Sequence, residues 1–279
     1  MSRTKKTVLI TISAVAVILC VFCCLYIYQF FRGSQVNARV GELARTAEPA
    51  ATEPEEPVPE APQEAAAEEA PEEPADPEAP TVAIEIDFQA LAEVNEEIYA
   101  WLEVPGTSIS YPILQSQTDD LFYNNHGVDK AYFTGGSIYT QRYNTKTFED
   151  PMTLVYGHNF HDQSVFAPLL SFMDAEFFRE NRTIYIYTPE TVYEYTIFAA
   201  YPHTSEHLLL CYDWTDEAQF DAYFGGLSDD ANTNYDRDGF PAFGDKVLTL
   251  STCYRLSRGV RYLVQGVLTA TCAVAQEDG

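Results

Sequence analysis

Residues 8 to 31, VLITISAVAVILCVFCCLYIYQFF, contain no charged residue. Twenty-four helical residues rise about 36 Å, enough to cross a bilayer with some tilt. A run like this cannot be left in water, so it divides the chain into a short N-terminus, a span and everything after it. Arg3, Lys5 and Lys6 precede the run, and only Arg32 follows it closely. That bias puts residues 1–7 in the cytoplasm and the C-terminal part outside the membrane. A cleaved signal peptide is the competing reading. It ranks second because the apolar run is too long for a signal core.

The next segment restricts the fold further. Residues 47 to 80 hold nine of the sixteen prolines and twelve acidic residues, with no aromatic residue. Such a stretch buries too little apolar surface to offset its ordering entropy. Proline and mutually repelling carboxylates keep it extended. Residues 32–80 are therefore expected to be an extracellular disordered linker that acts as a stalk or a spacer. The folded part is then 81–279, long enough for one domain with a sizeable core.

Charge and cysteine usage exclude two function classes. The net charge is −26, from 42 acidic residues against 16 Lys and Arg. That balance repels phosphate and argues against a nucleic-acid partner. The six cysteines form no disulfide framework. Cys20, Cys23 and Cys24 lie in the apolar run, while Cys211, Cys253 and Cys272 are scattered. Nothing in their spacing says whether Cys211 and Cys272 pair. No C-x-x-C pair accompanies a second such pair or a His pair, which argues against a zinc site.

Hydrophobic periodicity predicts a helix from Asp87 to about Leu102, capped by Asp87, with Phe88, Leu91, Ile98 and Trp101 on one face. VPGTSISYPIL reads as a Pro-Gly turn entering a strand. MTLVYGHN, TIYIYT, TVYEYTIFAAY, KVLTLSTC and RYLVQGVLTA are rich in β-branched and aromatic residues and read as strands. TDEAQFDAYFGGL predicts a second helix capped by Thr215, with Phe220, Tyr223, Phe224 and Leu227 on one face. Many short strands with two inserted helices predict a mainly β domain, a closed or nearly closed barrel.

One constellation carries chemistry. In KVLTLSTC, period-2 alternation puts Val247, Thr249, Ser251 and Cys253 on one face, with Cys253 at the strand end. Arg261 opens the next strand. If the two strands are neighbours, the thiol and the guanidinium share one end of the sheet. Domain 81–279 holds only ten basic residues, and Arg255, Arg258 and Arg261 are three of them. A cysteine nucleophile needs a proton acceptor. Of the five histidines, His158 follows a strand and Gly157, which permits a change of direction. His161 and Asp162 offer a partial metal site with too few ligands. Taken singly, each of these residues has an ordinary structural or surface explanation.

Together, TLSTC, the Arg of RYLVQG eight residues later and YGHN resemble the active-site segments of the sortases, membrane-anchored cysteine transpeptidases of Gram-positive bacteria. NEEIYAWLEVPGTSISYPILQ resembles the family's N-terminal helix and first strand, and the helix at 215–227 resembles the insertion of class B. The resemblance implies a sortase-type β-barrel over 81–279, with an inserted helix before the catalytic strand. It implies Cys253 as nucleophile, His158 as acid/base and Arg261 as the oxyanion-stabilising arginine, with Arg258 as a nearby competitor. Ser251, Tyr156 and Asn159 become candidate substrate-binding residues. No cofactor or metal is implied. The implied reaction cuts a C-terminal sorting motif after Thr, with N-P-x-T suspected from class B, through a thioacyl-enzyme. The surface protein then passes to a peptidoglycan-precursor amine at the outer face of the membrane. Three rivals stand beside it. A membrane-tethered adhesin or inactive barrel would leave the residues unused. An L,D-transpeptidase would carry a differently worded motif. A sortase substrate would end differently from TATCAVAQEDG.

Overall fold

The computed structural model describes residues 3–45 (side chains from 12), 84–159, 164–228, 232–254 and 259–274. Of the disordered linker expected at 32–80, residues 32–44 are instead helical, because Val36, Val40 and Ala44 find apolar partners on the barrel domain, and residues 46–80 lie outside the described residues. In chain order the elements begin with α1 (Arg3–Ala44), α2 (Phe88–Val94), β1 (Ile98–Val104), β2 (Ile109–Leu114), β3 (Ile138–Thr140) and β4 (Met152–Tyr156). There follow α3 (Ala175–Glu180), β5 (Thr183–Tyr187), β6 (Thr191–Thr204), α4 (Leu208–Cys211) and α5 (Glu217–Gly225). The chain ends with β7 (Asn234–Tyr235), β8 (Val247–Cys253) and β9 (Val260–Ala273). Cys211 and Cys272 are free thiols.

Eight strands close into a barrel in the order β5-β1-β2-β3-β4-β8-β9-β6, and β6 pairs back onto β5. Strand β7 takes the edge of β6 beyond the point where β5 ends. Closure removes the exposed edges that an open sheet would leave. Most neighbours are antiparallel, but β2–β3 and β4–β8 run parallel. The interior is filled by alternate residues of each strand, among them Leu102, Ile113, Val155, Ile186, Leu248, Leu250 and Val264.

The opposite face of β4, β6, β8 and β9 is not left to water. Met152, Leu154, Phe198, Val247 and Leu263 are covered by Trp214, Phe220, Tyr223 and Phe224, so the insertion carrying α5 supplies a second core. Tyr223 and Tyr201 share a hydrogen bond of 2.7 Å, and Tyr201 donates to Gln265 Oε1 at 2.8 Å. Gln265 Nε2 then donates to Thr249 Oγ1 at 2.9 Å. These buried polar groups are mutually satisfied and fix the insertion in one register.

Two helix boundaries differ from expectation. The predicted helix over 87–102 stops at Val94. Asp87 does cap it, accepting from Ala90 N at 2.8 Å, but Ile98 onward is strand β1. A register shift between Ile98 and Ala100 in the β1–β2 pairing explains the misleading periodicity. A bulge inverts the alternation, so Ile98 and Trp101, three apart, reach the same cluster. The second helix is capped by Asp216, which accepts from Gln219 N at 3.1 Å, while Thr215 donates to Asp213 at 2.6 Å.

The apolar run at 8–31 lies within α1, which continues thirteen residues past it. Its exposed apolar stretch is long enough to cross a membrane. Its last turns instead dock on the barrel domain. Val36, Val40 and Ala44, at i, i+4 and i+8, pack with Leu91, Trp101 and Leu114. Arg32 pairs with Asp129 at 2.5 Å, and Arg45 donates to Ser110 Oγ at 2.9 Å. Asp87 N donates to Ala44 O at 3.1 Å, so the residues flanking the Pro/Glu-rich segment meet at one point. The apolar stretch is thus joined to the barrel by its own helix, independently of that segment's length.

Candidate active site

The faces of the strands determine what converges at the barrel rim. On β4, Met152 and Leu154 face the α5 insertion and Tyr156 packs against the same cluster, so the next residue of that alternation is His158. On β8 the same face carries Val247, Thr249, Ser251 and then Cys253. On β9 it carries Leu263 and, at the strand's start, Arg261. Strands β4, β8 and β9 are adjacent. Cys253 is directly opposite Arg261, and Tyr156 is opposite Ser251 in the parallel pair, so His158 falls at the level of Cys253. Histidine, cysteine and arginine therefore stand in a row across three neighbouring strands. On the far side of β9, His203 of β6 is opposite Arg261.

Hydrogen bonds hold this row. Arg261 Nη1 lies 3.2 Å from Cys253 Sγ and donates to it. Gly157 N donates to Ser251 O at 3.1 Å, and Thr252 Oγ1 donates to Gly157 O at 2.8 Å. Those two bonds tie the ends of β4 and β8 together immediately before His158 and Cys253. Asn159 Nδ2 donates to the Cys253 carbonyl at 2.9 Å. The His158 ring bonds through Nε2 to the Asn124 main-chain carbonyl at 2.7 Å. Burial, the largest cause, and the nearby Arg261 cation draw the His158 pKa below its ordinary 6.5; the Asn124 carbonyl acts in the opposite sense.

A cleft of about 310 Å³ opens beside the row. His158, Ser251 and Arg261 line it, and so do Tyr139 and Tyr156, a stacked pair at 5.5 Å between centroids. Burial pushes the Tyr139 phenol up to about 12 and raises Tyr156 as well, so both stay neutral donors. Glu206 and His207 also line the cleft. His207 Nε2 lies 2.6 Å from Gln141 Oε1.

The structure brings Cys253, His158, Arg261, Ser251 and Tyr156 to one place, and Asn159 to the Cys253 main chain. His161, Asp162, Arg255 and Arg258 lie outside the described residues. Sequence reasoning missed Asn124, Gln141 and Tyr139. Asn124 contributes a carbonyl, which no residue type announces, and Gln141 and Tyr139 come from short strand β3 and its end, too brief to show periodicity. Gly157 differs in its reason. Its φ is not positive, and a Cβ there would lie 2.6 Å from the ring of Phe166, which is fully buried. Gly157→Ala is therefore expected to destabilise the fold by about 1–3 kcal/mol through overpacking, read as a lowered Tm. An unchanged Tm would show that Phe166 can move aside freely.

The sortase-domain family model matches residues 102–269. Sortase B of Listeria monocytogenes is 31% identical over 167 residues, which cover 60% of this chain and 67% of that protein. Sortase B of Bacillus anthracis in complex with AAEK1 superposes with a TM-score of 0.64 at 22% identity, covering 88% of this chain and 99% of that one. The Staphylococcus aureus sortase B–substrate complex has a TM-score of 0.57 at 24% identity, covering 66% and 84%. Those two likenesses concern the fold. A closed barrel with these relatives defines a cysteine transpeptidase, which removes the adhesin reading. The chain belongs to the sortase family, in its class B.

Proposed function

We propose that Cys253 is the nucleophile, His158 the acid/base and Arg261 the oxyanion donor of a transpeptidation at the outer face of the membrane. The observation that carries this reading is the row itself: three adjacent strands deliver thiol, imidazole and guanidinium to one rim, with Arg261 3.2 Å from the sulfur. The sulfur attacks the Thr carbonyl of a sorting motif, forming a C–S bond as charge develops on the oxygen. The always-charged planar guanidinium suits that oxygen. The C–N bond breaks, and His158 gives its proton to the departing amine. A peptidoglycan-precursor amine then attacks the thioester, gives a proton to the site and displaces the thiolate. Ser251 and Tyr156, which line the cleft, contact the motif. Asn159 instead holds the enzyme's own main chain at Cys253. No step uses a cofactor or metal.

The partners in this reading are surface proteins with a C-terminal motif of the N-P-x-T kind. Residues 8–31 anchor the enzyme with its N-terminus in the cytoplasm, and 81–279 form the catalytic domain. The test is a panel of fluorogenic sorting-motif peptides offered to the full chain in detergent. Cleavage after Thr, only in peptides of one motif class, supports the proposal. Equal cleavage of scrambled peptides would sink it.

The same assay gives a pH profile. The active enzyme holds one proton between Cys253 and His158, so kcat/KM against pH should be bell-shaped. The acid limb is loss of the first proton from the doubly protonated pair, and its midpoint cannot exceed the lower of the two site values. His158 is drawn below 6.5. Activity should therefore fall with decreasing pH through a midpoint below 6.5, as both groups become protonated. An acid limb centred above 6.5 would contradict the assignment.

A further inference from the structure

We infer that the Asn124 main-chain carbonyl is the third member of the catalytic group, and that Tyr123 is a positioning residue that holds it there. The inference rests on His158 being the acid/base. His158 Nε2 meets that carbonyl at 2.7 Å. A carbonyl only accepts, so Nε2 must carry the ring's proton. The neutral ring then has its lone pair on Nδ1, which becomes the nitrogen that exchanges a proton with Cys253. A main-chain oxygen can fix a tautomer only if the main chain is itself held.

It is held from three directions. Residues Phe122–Asn124 form a single 3-10 turn, and Tyr123 at its centre is almost fully buried. Its hydroxyl donates to Glu97 Oε2 at 2.5 Å and accepts from Asn95 Nδ2 at 2.8 Å. Glu97, also buried, accepts from Gln117 N at 2.9 Å and faces Lys130 at 3.3 Å. A buried carboxylate is costly unless its lone pairs are met, so this anchor has one low-energy arrangement. From the far side, Ser137 N donates to Tyr123 O at 2.9 Å. Gly136 has φ +57, and a Cβ there would lie 2.5 Å from Tyr123 O and 2.7 Å from Asn124 O. The backbone of Gly136 thus abuts the very carbonyl that receives the imidazole. Glu97 and Gly136 come from separate segments and meet this turn at Tyr123, which also packs in the core beside Leu91 and Val128.

The test is the ring tautomer of His158 in the full chain, labelled with 15N-histidine and read from the two-bond couplings of the ring nitrogens. The wild type is expected to show the Nε2–H tautomer. Tyr123→Phe should give a mixture of tautomers and lower kcat about tenfold, with KM within twofold, when rates are normalised to folded protein. Glu97→Gln keeps an acceptor for Tyr123 and should retain more activity than Glu97→Ala. An Nδ1–H wild type would overturn the inference without any variant having to fold, and would leave the role of His158 intact. A Tyr123→Phe enzyme with wild-type tautomer and kcat, or one whose loss merely tracks its unfolded fraction, would reduce Tyr123 to a packing residue. An inactive-site role for His158 itself would show separately, as turnover surviving His158→Ala.

Discussion

Cys253→Ala is expected to lower peptide turnover by about 10⁴-fold or more while the barrel stays folded. Groups that act as a unit in covalent catalysis lose most of the rate when the nucleophile alone is removed. Cys253 is at the last position of β8, half-buried, and its sulfur receives a bond from Arg261 rather than filling a core. Alanine should therefore cost little stability. The other thiols provide the contrast: Cys211 is exposed at the end of α4, and Cys272 lies near the far end of β9. Cys211→Ala and Cys272→Ala should stay near wild type. Measuring kcat/KM for the three variants on one peptide decides between them, and substantial turnover by Cys253→Ala would end the covalent mechanism.

Arg261→Ala should lose about 100- to 1000-fold in kcat/KM, the usual cost of one oxyanion donor. The residue is directed by the pleat of β9, not by a loop, and its register opposite Cys253 leaves the guanidinium at the sulfur. Removing it also raises the pKa of His158, because a cation that opposes protonation is gone. The acid limb of the pH profile should move up accordingly. Arg261→Lys should remain badly impaired, since an ammonium keeps the charge but lacks the paired planar donors. A near-normal Arg261→Ala would move the oxyanion role to another donor on the rim.

The placing of Cys253 beside Arg261 was legible in the sequence because strands impose a two-residue period. Once KVLTLSTC and RYLVQGVLTA were read as neighbours, Cys253 and Arg261 had to share an end, and the observed register pairs them directly. His158 was singled out differently, because it follows a strand and Gly157. What escaped was everything that alternation does not encode. The bulge at Ile98–Ala100 put two residues three apart on one side and imitated a helix. The docking of α1 through Val36, Val40 and Ala44 was masked by the acidic segment that follows it. Asn124 acts through its main chain, and Gly157 is small because Phe166 occupies the space its side chain would need.

The central claim is a thioester on Cys253, and peptide-mapping mass spectrometry tests it most directly. The full chain is mixed with an accepted sorting peptide, quenched in acid during turnover and digested. The expected result is an adduct equal to the acyl fragment ending in Thr, located on the peptide containing Cys253 and released by hydroxylamine. Turnover with no adduct on Cys253, or an adduct on Cys211 instead, would contradict it.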